Sequence, residues 1–368
     1  MIKEILADLV RIDSVSSRSN VEIVEYLEKR CKALNLIVRR FPYLDDHGVE
    51  KINLIALTDD VEEVELALVG HTDTVPYDPN WTEATNLTER DGKLYGRGSC
   101  DTKGFIAAAL TALENVKPNK PLALIYTADE EIGLRGAKRL AETKPLRVRY
   151  SIVGEPTSLK PIRAGKGYSL AEVIVKGREA HSAYPTLGAS AVFRAARLIN
   201  RLESIATQLK QDQHPAFDPP YTTLNIGLIQ GGSAKNVLAG ECRFTLEWRP
   251  IPSQPSEHLL DLFKAAIDEE TQADPDFQCE VDANRQDTGF ETAPDSPLIR
   301  LLEQATGLES GTVAFGTEAA QMMKLGSESV VIGPGDIREA HRTGEFVPID
   351  ELERCAVVLR QSIQHFCS

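Results

Sequence analysis

Apolar and polar positions alternate with two different periods along the first 165 residues. Ile2 to Ile12 carries the spacing of an amphipathic helix, and a second helical pattern covers about Ile23 to Leu34. Short apolar runs at Ile52–Leu57, Glu65–Val69, Leu122–Thr127 and Ser151–Val153 predict strands, and an alanine-rich helix is expected from about Gly104 to Val116. Helices and strands in alternation mean an α/β layer with a mainly parallel sheet. The middle of the chain reads differently. Glu241–Arg249 alternates strictly, with Cys242, Phe244, Leu246 and Trp248 on one face, as a half-exposed antiparallel strand does. Before it, Val192, Ala196, Ile199, Leu202 and Ala206 fall on one helical face. Pro-rich and polar loops lie at Gln211–Tyr221 and Ile251–Glu257. The α/β pattern then resumes with a helix near Pro297–Ala305, a strand at Ser329–Ile332 and a last helix at Asp350–Phe366. The expected organisation is a discontinuous α/β domain, residues 1–165 and 287–368, interrupted by an α+β domain over 166–286. No repeat or low-complexity tract interrupts it.

The chain has 368 residues, enough for about two domains. Its 41 basic and 55 acidic residues give a net charge of -14, which repels phosphate backbones and argues against nucleic acid as a partner. An acidic field suits a cationic substrate, although solubility alone accounts for many acidic proteins. Glu4 and Asp8 interrupt the N-terminal apolar run, so it does not read as a secretory signal, and no apolar stretch reaches the ~20 residues a membrane span needs. The six cysteines form no CxxC pair and read as reduced thiols. A cytoplasmic protein is the expectation.

Histidines and carboxylates recur at the predicted strand ends. His71 and Asp73 follow one strand in GHTDTVP, Glu130 and Glu131 the next in TADEEIG, and Glu155 a third in IVGEPT. His341 lies past the strand Ser329–Ile332 in GPGDIREAH, and Asp101 precedes a helix in YGRGSCDTKG. Sites in open α/β sheets form at the carboxyl ends of strands. Taken singly, each motif has a plainer reading: a polar loop, an acidic helix start, a turn. Independent loops have no reason to collect at successive strand ends, and imidazole with carboxylate suits zinc, or less exclusively cobalt and manganese. Two divalent ions about 3.5–4 Å apart need a bridging carboxylate, and a further carboxylate off the metals is needed to take a proton from water.

The motifs resemble the zinc metallopeptidase/deacylase family that includes acetylornithine deacetylase, succinyl-diaminopimelate desuccinylase and glutamate carboxypeptidase. SRSNVEIVEYL, LTERDGKLYGRGSCDTKG, YTTLNIGLIQGGSAKNV, FGTEAA and GPGDIREAH are most similar to the acetylornithine deacetylase branch, and the match covers nearly the whole chain. The resemblance implies two zinc or cobalt ions, His71 and Glu155 on one, His341 and Glu131 on the other, and Asp101 bridging. It implies Glu130 as general base and Asp73 as the group that orients the His71 ring. His181, in KGREAHSAYP, resembles an oxyanion-stabilising histidine supplied to a neighbouring subunit, which implies a homodimer. Asn236 and Arg249 match lid residues that contact a substrate α-carboxylate. Glu318 in GTEA would meet a cationic side chain or cap a helix. The implied reaction is hydrolysis of N-acetyl-L-ornithine, a small N-acyl amino acid, in arginine biosynthesis.

Plainer readings stand beside several of these roles. Arg249 could be a solvated strand residue, Asn236 a turn former and His181 a loop histidine, while Cys100 reads as a small buried residue. The branch continues AH-x-PDE after the last ligand, whereas this chain reads AHRTGEF, which leaves the contacts of that loop open. N-acetylcitrulline, another acyl amino acid or a small peptide are alternative substrates, because specificity lies in a few pocket contacts. A catalytically inactive binding protein on the same fold is a more distant alternative, against which an intact Glu130 argues. A nucleotide-binding protein is disfavoured by the lack of a P-loop or an opening GxGxxG.

Overall fold

A computed structural model describes residues 1–274 and 276–368. The chain divides into two compact units, the first comprising Met1–Arg163, Glu291–Gly311 and Thr317–Ser368, the second Ala164–Phe290 and Thr312–Gly316.

The first unit is a mixed α/β layer structure. Its sheet runs in the order Ile37–Leu44, Glu50–Leu57, Leu122–Thr127, Glu63–His71, Arg147–Val153, Glu328–Val331. The central pairings are parallel: Glu63–His71 lies between Leu122–Thr127 and Arg147–Val153, and Glu328–Val331 pairs with the latter. Leu122–Thr127 is buried throughout, as expected for a strand covered on both faces. Helices Ile2–Arg11, Val21–Ala33, Lys103–Leu113, Pro297–Thr306 and Ile349–Cys367 contribute to one large core with Leu54, Leu66, Leu68, Leu124, Tyr126 and Ile152 of the sheet. The short helices Arg135–Thr143 and Ala319–Met323 contact each other and the sheet strands. Parallel strands present their carboxyl ends on one edge, and that edge carries the acidic and imidazole residues.

Two features of this unit depart from the sequence pattern. The strand Ile37–Leu44 lacks clean alternation, and it forms the sheet's antiparallel edge beside Glu50–Leu57. Pro42 is tolerated there because an edge strand does not need every ladder donor. Glu63–His71 is longer than the apolar run Glu65–Val69, so His71 is the last residue of the strand itself.

The second unit is a four-stranded antiparallel sheet in the order Thr223–Gly231, Glu241–Arg249, Tyr168–Lys176, Gln278–Asp287. Cys242, Phe244, Leu246 and Trp248 are buried with Ala171, Val173 and Val175 beneath helices Ala191–Leu209 and His258–Ala273. The buried stripe of Ala191–Leu209 is Ala191, Ala195, Leu198, Leu202, Ile205 and Leu209. The expected face of Val192, Ala196, Ile199, Leu202 and Ala206 is therefore rotated by about one residue, and Val192 is exposed. The reason is Arg194, which is buried on the core side. Its guanidinium bonds Asp274 at 2.6 and 2.9 Å and the Lys176 carbonyl at 3.1 Å, so a cation occupies a position that apolar periodicity would give to carbon. Leu198→Ala is expected to destabilise the protein by ~2–5 kcal/mol and Ala196→Ser by less than ~0.5 kcal/mol. Urea unfolding of both variants checks this, and equal effects would restore the Val192–Ala206 register.

Candidate metal centre

The expected donor side chains lie in the loops that follow strands, except His71, which ends one, and Asp101, which lies two residues before the helix Lys103–Leu113. His71 closes the strand Glu63–His71, and Asp73 lies two residues on. Glu130 and Glu131 sit between the strand Leu122–Thr127 and the helix Arg135–Thr143. They are not the helix start that an acidic pair suggests. Asp129 adopts φ +57° and the chain turns tightly, with the Gly133 and Leu134 amides donating to the Glu130 carbonyl. Glu155 follows the strand Arg147–Val153, one residue after Gly154. A Cβ at Gly154 would lie 2.2 Å from the Phe105 ring, so glycine lets this strand end approach the helix Lys103–Leu113.

Asp101 is the shared element. Its Oδ1 lies 2.9 Å from His71 Nε2, and its Oδ2 lies 3.2 Å from His341 Nε2. One carboxylate thus turns a different oxygen to each histidine. His341 Nε2 is also 3.0 Å from Glu131 Oε2. His71, Asp101 and Glu131 each offer a donor atom within 4.8 Å of the others. His71 Nδ1 lies 3.0 Å from the main-chain oxygen of Asp73 and 3.6 Å from its Oδ1, which leaves Nε2 as the nitrogen aimed at the cluster. The Asp73 carboxylate has further partners: it accepts the amides of Glu130 at 3.0 Å and Glu131 at 3.3 Å and the Ser16 hydroxyl at 2.7 Å. It therefore holds the backbone of the neighbouring acidic pair as well as facing the imidazole.

The electrostatics are those of crowded acids. Burial pushes the Glu130 and Glu155 carboxyls well above the usual range, and neighbouring carboxylates push the same way while His71 opposes. Burial also raises Glu131, against its bond to His341, and takes Glu318 up to about 7. Asp101 behaves differently. Burial would raise it, but bonds and charge from His341 and His71 hold it below the usual carboxylate range. His341 is pushed up to about 10 by its bonds to Asp101 and Glu131. Clustered oxygens that favour protonation, and imidazoles that favour it too, are groups for which protons and divalent cations compete. The oxygen and imidazole donors, with a carboxylate shared between two histidines, fit a pair of divalent ions.

Glu318 precedes the helix Ala319–Met323 but makes no capping bond. It is buried, and its charge is felt by Glu130 and Glu155. His181, Asn236 and Arg249 belong to the second unit. There His181 pairs with Val237 across an isolated bridge, and the Ser182 amide donates to the Asn236 carbonyl, so the His181 and Asn236 loops lie side by side. His181 Nδ1 accepts the Ala183 amide at 3.1 Å. A neutral ring must then carry its proton on Nε2, as a donor. Arg249 stands 4.4 Å over the Tyr168 ring, with Nε on Glu247 at 2.9 Å.

Several buried groups around the centre were not apparent from the residues alone. Lys51 and Asp129 form a buried ion pair at 2.8 Å, and Lys51 Nζ also donates to the carbonyls of Ser16 and Arg18. Tyr43 donates to the other Asp129 oxygen at 2.9 Å. Glu345 and Arg97 form a second buried pair at 2.5 Å. No motif marks these residues, since a Lys or Glu in a polar stretch looks solvated until the fold closes over it.

The fold and this donor set define a metal-dependent amidohydrolase. The chain belongs to the peptidase family M20/M25/M40, whose family model matches residues 67–365. It is 51% identical to an acetylornithine deacetylase of Myxococcus xanthus, across 100% of this chain and 97% of that one. Among solved structures it is similar to a tripeptidase from Staphylococcus aureus, at a TM-score of 0.76 and 24% identity over 100% of this chain and 98% of that one. An M20 family metallo-carboxypeptidase from Sulfolobus solfataricus shares the fold at a TM-score of 0.77 and 18% identity, over 99% of each chain. Among the described residues, no helix is long and apolar enough to cross a membrane.

Proposed function

We propose that the protein hydrolyses N-acetyl-L-ornithine to L-ornithine and acetate, in arginine biosynthesis in the cytoplasm. The observation that carries the chemistry is Asp101, with one oxygen on each histidine. The substrate is supported by the likeness to the Myxococcus enzyme over the full chain. A buried acid at Glu318, free of any capping duty, would suit the ornithine ammonium.

His71 and Glu155 would hold one divalent ion, His341 and Glu131 the other, and Asp101 both, with Zn²⁺ or Co²⁺ as the ions. What such a pair supplies when bound is Lewis acidity toward water and the amide carbonyl. The remaining work falls to the chain. Glu130 takes a proton from the attacking water, and its environment, which favours protonation, makes it a competent base. It then returns that proton to the departing amine. Its amide is fixed on Asp73, so the base and the His71 ring share one anchor. Arg249 offers a guanidinium fork for the substrate α-carboxylate, and Asn236, beside His181 at the opposite end of the strand Glu241–Arg249, a neutral polar contact. His181 donates Nε2–H to the oxyanion of the tetrahedral intermediate, and does so in the partner subunit.

The homodimer is supported by the second unit's surface. Thr223–Gly231 is an edge strand on which Leu228 is 72% and Ile229 58% exposed, and Phe193 of the adjacent helix is 72% exposed. An apolar sheet edge of this kind suits pairing with a second copy.

Three measurements test the reading. Glu130→Gln should bind two ions as the parent does and lose about 10²–10⁴-fold in kcat, the worth of a general base. Loss of metal with the rate retained on remetallation would exchange the roles of Glu130 and Glu131. With Zn²⁺ or Co²⁺ supplied, kcat/KM should be higher for N-acetylornithine than for N-acetylcitrulline, whose side chain is neutral, and the reverse order rejects the substrate. His181→Ala and Glu130→Ala homodimers should each be nearly inactive, while subunit exchange between them should regain one working site per mixed dimer. Mixed dimers verified by mass spectrometry that recover nothing would confine His181 to its own chain.

A further inference from the structure

The loop in which this chain departs from AH-x-PDE contains the most heavily hydrogen-bonded carboxylate near the centre. Glu345 is buried, four residues after His341. Its Oε1 accepts the amides of Cys100 at 2.9 Å and Asp101 at 3.1 Å. Its Oε2 accepts the Gly98 amide at 3.1 Å and Arg97 Nη1 at 2.5 Å. Its own carbonyl accepts the Gly96 amide at 3.1 Å. The segment leading to Asp101 is thus wrapped around one side chain. Arg97 extends the contact to the loop after Asp73, through Nη2 to the Pro76 carbonyl at 3.3 Å.

We infer that Glu345, with Arg97, is a positioning residue that sets the Asp101 carboxylate between the two metal positions. The clamp joins three donor-bearing segments: the loop after His71 and Asp73, the Arg97–Asp101 loop, and the His341 loop. Asp101 needs such a device because a bridging carboxylate must face two ions at once, and a small rotation of its backbone would favour one over the other. The Asp101 amide is fixed directly by Glu345, so the peptide that orients the side chain cannot turn freely. Gly98 shows how closely the segment is packed. It lies at φ +77°, and a Cβ there would come within 2.8 Å of Thr74 and 2.9 Å of Lys103. A carboxylate is the side chain that fits the clamp, because both oxygens accept and each offers two lone pairs. Glutamine would place an NH₂ group against the Gly98 amide and the Arg97 guanidinium, or against the amides of Cys100 and Asp101.

The inference rests on the two-metal reading of the same site, and Co²⁺ titration of the full-length protein separates the two. Bound Co²⁺ would be counted after gel filtration and followed by its visible absorption spectrum. The parent protein should take up two equivalents. Glu345→Gln should keep the first and need about 10–100-fold more Co²⁺ for the second, the usual consequence of removing a group that supports a ligand. Glu345→Ala should retain a single equivalent and lose the spectrum of the pair. If the alanine variant does not fold, as judged by circular dichroism, the isosteric glutamine variant carries the test alone. Two equivalents at parental affinity in a folded Glu345→Gln protein would overturn the inference, even with a lowered Tm, since that result describes a purely structural bond. A parent that binds only one equivalent would overturn the two-metal reading and the inference with it.

Discussion

The arrangement of the first unit depends on how it tolerates negative charge gathered at one sheet edge. Asp73, Asp101, Glu130, Glu131, Glu155 and Glu318 come together where the strands end, several of them buried. Carboxylates removed from water and set beside one another are unstable as anions unless positive charge or donors face them. Glu130, Glu155 and Glu318 are accordingly pushed upward, chiefly by burial, with neighbouring carboxylates adding to it and His71 opposing. Asp101 escapes because two imidazoles flank it. The residue best placed to be shared is therefore also one held in its anionic form.

Fixed donors meet the same constraint elsewhere. Asp73 is satisfied by two backbone amides and a hydroxyl. Asp129, at the start of the turn that carries Glu130 and Glu131, is paired with Lys51 and Tyr43. Glu345 is surrounded by amides and Arg97. In each case a buried acid outside the proposed ligand set organises the backbone that carries an acid of the centre. A buried carboxylate with several donors is a rigid support, because moving it leaves those donors unpaired.

The second unit solves a simpler problem. Its sheet is covered on one face by two helices and leaves the other uncovered, so period-two alternation appears directly in Glu241–Arg249. The parallel strands of the first unit are buried on both faces and read as continuous apolar runs, which locate a strand but blur its ends. This is why Glu63–His71 was legible only as Glu65–Val69, and why His71 looked like a loop residue. The edge strand Ile37–Leu44, alternately exposed and half-buried, carried too weak a pattern to be read. Arg194 shows a different limit. Apolar spacing places a helix but errs by a residue when a cation, stabilised by an aspartate and a carbonyl distant in sequence, takes a core position.

The α/β class, the order of most elements, the placement of His71, Glu130, Glu131, Glu155 and His341 after strands and that of Asp101 before a helix followed from the sequence, because periodicity and short polar motifs are local properties of the chain. The family resemblance rested on those same motifs. Tertiary structure alone decided which oxygen of Asp101 faces which histidine, that Asp73 also carries the amides of Glu130 and Glu131, and that Glu345 gathers the Arg97–Asp101 loop. Each of these contacts joins residues from 30 to 248 positions apart. Their partners are largely backbone groups, which every residue possesses and no sequence motif marks, so they are decided only where the chain folds back upon itself.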